Sequence, residues 1–283
     1  MDAAILAVPY DSAQREWRMG RGPGRLLGAG LAEALRARGH AVAVEWVEAE
    51  TAFPAEVATT FQLARRLSER VRAAAPRFPL VLSGGCFAAL GVLGGTGADA
   101  VVWLDAHGDL NTPETTRSGF LDGMALATAT GRCWAGLAAA VPGFRPVPDD
   151  RVVLVGGRDL DAGERALLDG SPVAHARAAR DLAPTLDALA GRARSVYLHV
   201  DLDVLDPAEA RANGFAVPGG LTVEEVEGVV RAVAARFSLV GATLSAYDPQ
   251  FDAGSRVPAA AGRIAAAVLE AESSRRSQFP QYP

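Results

Sequence analysis

The chain has 283 residues, 49% of them apolar, which is enough to bury a large core without disulfide or metal staples. Its formal charge of −5 and pI near 5.5, with no basic cluster, argue against a nucleic-acid partner. Two distant cysteines, Cys86 and Cys133, exclude a disulfide framework and fit a reducing cytoplasm.

The N-terminus has no positive leader and too short an apolar run for a signal peptide. No stretch approaches the roughly 18 apolar residues that span a bilayer, so no membrane partner is expected. Residues 4–8 read as a strand closed by Pro9. A glycine-rich loop at 20–24 leads into a helix that runs to Arg38, and 41–47 is the next strand. Residues 61–74 carry a helical pattern, and FPLVLSGG at 78–85 is a strand and glycine turn followed by a helix. A buried strand at 101–105 precedes a long loop and an alanine-rich helical stretch over 123–140. The remaining order is strand 151–156, a helix from 162, a short helix over 184–190, and the strand SVYLHVD. An amphipathic helix VEEVEGVVRAVAARF, a last strand LVGATLS and a helix over 259–272 follow, with 273–283 as a loose tail.

Strands alternating with helices, without repeat or linker, predict one domain over 1–283: a three-layer α/β/α fold with a mainly parallel central sheet. Polar residues collect just after the strands, which is the ligand edge of such a sheet. Two of these clusters share one pattern. Asp105, His107 and Asp109 alternate, as do His199, Asp201 and Asp203, so in extended geometry each set shares a face. Brought together, Asp105, His107, Asp109, Asp201 and Asp203 offer four carboxylates and one imidazole. That exceeds the need of one cation and suits two divalent ions, with Mn²⁺ preferred over structural Zn²⁺. Such a pair generates a hydroxide nucleophile at neutral pH, so a hydrolase is expected.

The sequence resembles the ureohydrolases, the arginase and agmatinase family, over nearly its whole length. DAHGDLNTPETTRSG at 105–119, GGRDLDAGE at 156–164 and DLDVLDP at 201–207 carry the resemblance. It implies a binuclear manganese hydrolase of guanidino compounds with an arginase-like fold. Asp105, Asp109 and Asp201 would serve one metal with a further ligand, and Asp105, His107, Asp201 and Asp203 the other. Asn111, Ser118, Asp161 and Glu164 match the positions that hold the amino-acid end of arginine, so a small guanidino amino acid is the implied partner.

Four departures from the family pattern modify that expectation. The family motif with a ligating histidine reads GGCFA here, leaving Phe87 at the histidine and Cys86 as the nearby candidate ligand, with a small buried hydrophobe as the alternative. The proton-shuttling histidine corresponds to Asp122, which could relay protons if its pKa is raised. His199 is a second candidate for that role, against the plainer reading of a core histidine. The glutamate that grips the guanidinium corresponds to Ala246, and a nearby threonine to Phe215. The amino-acid end is therefore kept while the guanidino end is rebuilt. A less basic N-hydroxyguanidine fits such a pocket. Within the family the resemblance is strongest to the Nω-hydroxy-L-arginine amidinohydrolases of D-cycloserine biosynthesis, which implies hydroxyurea and L-ornithine as products. An ordinary arginase or a relative acting on another guanidino acid, and a catalytically dead metal-binding relative, are the competing expectations. The short tail offers no evident docking face, so a monomer is expected.

Overall fold

The computed structural model describes residues 1–50, 55–177 and 181–278. Ten strands form: β1 (Asp2–Val8), β2 (Tyr10–Asp11), β3 (Gln14–Arg15), β4 (Ala41–Trp46), β5 (Phe78–Ser83), β6 (Ala100–Asp105), β7 (Val152–Gly156), β8 (Ala174–Ala176), β9 (Ser195–Asp201) and β10 (Ser238–Ser245). Eight of them make one sheet in the order β4-β1-β5-β10-β9-β6-β7-β8, and every neighbouring pair is parallel. β2 and β3 form a small separate hairpin. The interior strands β5, β6 and β7 are buried at every residue, as unbroken apolar runs require when helices cover both faces.

The helices are α1 (Gly22–Gly28), α2 (Leu31–Ala37), α3 (Glu56–Ala74), α4 (Ala88–Thr96), α5 (Ala125–Ala129), α6 (Ala135–Ala138), α7 (Ala162–Gly170), α8 (Leu182–Ala190), α9 (Val223–Ala234) and α10 (Arg256–Gln278). One core packs Leu26, Leu35, Leu186, Val226, Val230 and Ile264 from α1, α2, α8, α9 and α10 against one sheet face. The other packs Phe61, Leu67, Leu90 and Leu126 from α3, α4 and α5 against the opposite face, around Trp103 and Tyr197. The expected three-layer architecture with a parallel sheet is what forms.

Local differences from the sequence reading have local causes. The single helix expected to end at Arg38 is two, because Gly30 takes a left-handed conformation (φ 89°) at the junction. The 123–140 stretch likewise breaks into α5 and α6 around Gly131 and Trp134, both at positive φ. The final helix does not stop at 272. It continues to Gln278, with Arg276 paired to the buried Glu272 one turn back, so the tail is helical through 278. Residues 279–283 of the expected tail lie outside the described residues. β8 escapes sequence reading because it is three residues long.

The central strands position the site. β5, β10, β9 and β6 lie side by side, and their carboxyl ends carry Gly84–Cys86, Ser245–Ala246, Asp201–Asp203 and Asp105–Asp109. In register, Trp103 of β6, His199 of β9 and Thr243 of β10 are neighbours one step below that ledge.

Candidate active site and metal centre

Above the carboxyl ends of these strands lies a cavity of about 310 Å³. Its floor is acidic. Asp105, Asp109, Asp201 and Asp203 are all buried. Strand alternation delivers Asp105 and Asp201 to one face, and the chain then turns so that Asp109 (φ 51°) and Asp203 point back. Asp105 accepts from the Trp103 indole N–H (3.0 Å) through Oδ2 and from the His107 backbone N–H (2.7 Å) through Oδ1. Asp201 Oδ1 accepts from the Asp203 N–H (2.9 Å), while its Oδ2 accepts from the Cys86 thiol (3.1 Å).

His107 Nδ1 lies 3.2 Å from Asp105 and 3.4 Å from Asp203. Burial works against a charge on this imidazole. The hydrogen bond to Asp105 and the charge of Asp203 outweigh it and raise its pKa to about 9. Burial and the crowding of like charges push Asp109, Asp201 and Asp203 upward. Asp105 goes the other way: burial penalises its charge, but the hydrogen bond and charge of His107 more than offset that.

Among the described residues, two groups of side chains lie close enough to hold a metal ion: Cys86, Asp105 and Asp109, and Asp105, His107 and Asp203. They share Asp105, the arrangement expected of a bridging carboxylate. Asp109 Oδ2 is buried with no hydrogen-bond partner, an expensive state that a cation resolves. Hard carboxylate oxygens with one imidazole fit a divalent ion such as Mn²⁺ or Mg²⁺.

Cys86 and Phe87 part company. Phe87 packs edge-on against Phe61 (5.5 Å between centroids) in the core, away from the carboxylates. The Cys86 sulfur enters the acidic cluster, with Ser245 Oγ 3.6 Å away. Burial and the surrounding aspartates, Asp201 first, push its thiol well up, so a thiolate forms there only beside a cation. Asp122 reaches the same turn because residue 85 is glycine: a Cβ there would lie 2.4 Å from its carboxylate. Its Oδ1 accepts from the Phe87 N–H (3.0 Å). Burial, reinforced by Asp11, raises its pKa to about 7.

Asn111, Ser118, Asp161 and Glu164 all line the cavity. Asn111 donates to Asp161 (2.9 Å), and Glu164 accepts from the backbone N–H groups of Asp161 (2.8 Å) and Leu110 (3.1 Å). Ser118 accepts from the Phe120 N–H (3.1 Å). Ala246, Phe215 and Asn213 line the cavity as a second group, joined through the Asn213 side chain.

Against this geometry, the chain matches the arginase family over residues 1–270. The chain belongs to the arginase family. These proteins are hydrolases acting on guanidino groups. An arginase of Bacillus caldovelox is 38% identical over 162 residues, 53% of this chain and 54% of that protein. An N(omega)-hydroxy-L-arginine amidinohydrolase of Streptomyces lavendulae is 38% identical over 160 residues, 54% of each chain. The chain thus spans about half the length of both relatives. The crystal structure of arginase from Bacillus cereus superimposes with a TM-score of 0.85 at 27% identity, covering 95% of this chain and 98% of that one.

His199 requires a correction as a shuttle candidate. It is fully buried beneath the arginase-type ledge, stacked on Trp103 at 3.6 Å, and does not line the cavity. Nδ1 meets the Tyr197 hydroxyl at 2.8 Å and Nε2 meets Ser245 Oγ at 3.1 Å, so neither nitrogen is free to exchange a substrate proton. Burial also lowers its pKa to about 3, which keeps it neutral. The alternation of His199 with Asp201 does hold. The error lies in depth, because the histidine is one step further down the strand.

Two acidic residues near the strand ends serve turns: Asp206 accepts from the N–H groups of Ala208, Gly219 and Gly220, and Asp248 from that of Gln250. Asn213, which sequence reasoning missed, lines the cavity with 1% exposure. An Asn-Gly pair reads as a turn, and nothing in the sequence marks it as buried.

Proposed function

We propose that this protein hydrolyses Nω-hydroxy-L-arginine to hydroxyurea and L-ornithine, using two Mn²⁺ ions. The observation that carries this reading is the make-up of the cavity lining. Four polar side chains suited to an amino acid, Asn111, Ser118, Asp161 and Glu164, line it, and residue 246, which the resemblance matches to the glutamate that grips a guanidinium, is an alanine. The Streptomyces lavendulae relative supports the same substrate. The setting in D-cycloserine biosynthesis rests on the sequence resemblance, and that in the cytoplasm on the two distant cysteines.

Asp105, Asp109 and Asp201 would hold the first metal with Cys86, and Asp105, His107, Asp201 and Asp203 the second. When bound, the pair supplies Lewis acidity and an activated water at neutral pH. The protein's own part is orientation and proton handling. Asn111, Ser118 and Asp161 bind the α-amino acid group, and Glu164 fixes Asp161 and Leu110 in place. Asp122, half-protonated near neutrality, hands a proton to the δ-nitrogen as its bond to the guanidine carbon breaks. The hydroxyl lowers the basicity of the guanidine, so it can enter uncharged, whereas plain arginine stays protonated far above pH 7.

L-arginine is the second reading, favoured by Asp122, which the resemblance matches to the family's proton-shuttling histidine and which lines the cavity. The test is steady-state ornithine release with Mn²⁺ from each substrate separately. Turnover of the hydroxylated substrate at least about tenfold better in kcat/KM supports the proposal. Better turnover of L-arginine selects the arginase reading, and no ornithine from either overturns both.

A further inference from the structure

Asn213 makes three hydrogen bonds that meet at the rebuilt end of the cavity. Its Nδ2 donates to Asp203 Oδ2 (3.2 Å) and to the Ala246 carbonyl (2.9 Å), and its Oδ1 accepts from the Phe215 N–H (2.8 Å). Both amide hydrogens and the carbonyl are used, so the side chain acts through its neighbours. Those neighbours include positions 215 and 246, which the sequence resemblance matches to a threonine and a glutamate of the family.

The Phe215 ring stacks on Phe120 at 5.6 Å with an interplanar angle of 26°. Phe120 in turn lies against the Arg18 guanidinium, 5.5 Å from its centroid. Arg18 is fixed by two 2.8 Å bonds to the buried Asp11. The stack is therefore pinned at both ends, by Asp11 on one side and by Asn213 on the other. Phe215 is 46% exposed, with its backbone N–H bonded to Asn213 and its ring stacked on Phe120.

We infer that Asn213 is a specificity-positioning residue, bracing Phe215 against Phe120 as an uncharged wall that admits neutral guanidines and disfavours guanidinium ions. The physical basis is desolvation: a cation entering beside this wall loses water and gains no opposite charge from residue 246. An N-hydroxyguanidine entering uncharged avoids that cost. The inference rests on the hydroxyarginine reading above and supplies its structural determinant.

The test compares Asn213→Ala, Phe215→Thr and the double variant with the wild type, all Mn²⁺-loaded. Competition kinetics give the preference for Nω-hydroxy-L-arginine over L-arginine, and calorimetry gives L-ornithine affinity. Phe215→Thr is expected to reduce the preference about tenfold. Ornithine, which occupies only the amino-acid end, is expected to bind within about twofold of wild type. Asn213→Ala should reduce the preference similarly, with no further loss in the double variant, because both act through one wall. Metal content, measured in parallel, separates this from any loosening of Asp203.

An unchanged preference in Phe215→Thr, or additive losses in the double variant, overturns the inference while leaving the proposed function intact. A wild-type preference for L-arginine overturns both.

Discussion

The two ends of the cavity are held together in different ways. At the amino-acid end, Asn111, Asp161 and Glu164 support one another through short hydrogen bonds, and Glu164 ties the start of α7 to the loop after β6. Gly108 is required there, since a Cβ would lie 2.7 Å from Glu164 Oε1. In the second group stand an aromatic pair, a left-handed alanine (φ 63°) and one buried asparagine, none of them charged. Beside them lie the buried carboxylates of Asp105, Asp109, Asp201 and Asp203. On the proposed function, reaction type and substrate choice are carried by separate parts: these carboxylates and the Asn111, Asp161 and Glu164 group would serve the hydrolysis, and the side of Phe215 and Ala246 would choose the substrate.

Removing the floor should abolish the difference altogether. Asp105→Asn keeps the size but removes the charge shared by both metal groups. Activity on either substrate should fall by more than about 100-fold, the upper range seen when only supporting residues are lost. Atomic absorption should find less than two metals per chain.

A milder change attacks the amino-acid end. Asp161→Ala removes the acceptor of the Asn111 Nδ2 hydrogen bond, and with it the charged group proposed to contact the substrate. L-ornithine should bind roughly tenfold to 100-fold more weakly by calorimetry, with the preference between the two guanidines unchanged. A shifted preference would mean that the ends are not independent.

The complementary change is Ala246→Glu. The Cβ is already accommodated, so the added carboxylate projects without new backbone strain. Preference should move towards L-arginine by about tenfold in competition assays. Failure to move would show that residue 246 does not face the guanidine.

The smallest effect expected is on stability. In the metal-free protein His107 has a folded pKa of about 9, above its ordinary 6.5, and Asp109 and Asp201 are also raised. A raised group contributes stability below its unfolded pKa and loses it as pH rises through the folded value. Metal-free protein should therefore unfold more readily as pH rises from 6.5 towards 9. Metal replaces these protons, so Mn²⁺ should raise the melting temperature more at pH 8 than at pH 6. Calorimetric scans at the two values check the sign.

Much of this architecture is legible in the sequence. Unbroken apolar runs such as 101–104 can only be interior strands, and period-two placement of Asp105 and of Asp201 follows from strand geometry. The turn at 156–164 and its acidic helix start are equally plain. What sequence cannot supply is depth and partnership. His199 shares a face with Asp201 but lies beneath the cavity, a distinction set by how far the strand extends. Cys86 and Phe87 are adjacent and only folding decides which enters the acidic cluster. Asn213 looks like an ordinary turn residue until β10 and the loop after β9 enclose it.

The central claim is tested most directly by offering the Mn²⁺-loaded protein equal concentrations of L-arginine and Nω-hydroxy-L-arginine and identifying the nitrogen products. The account predicts that hydroxyurea forms first and in large excess over urea. Urea in excess, with ornithine accounting for it, would contradict the account and return the protein to arginase chemistry.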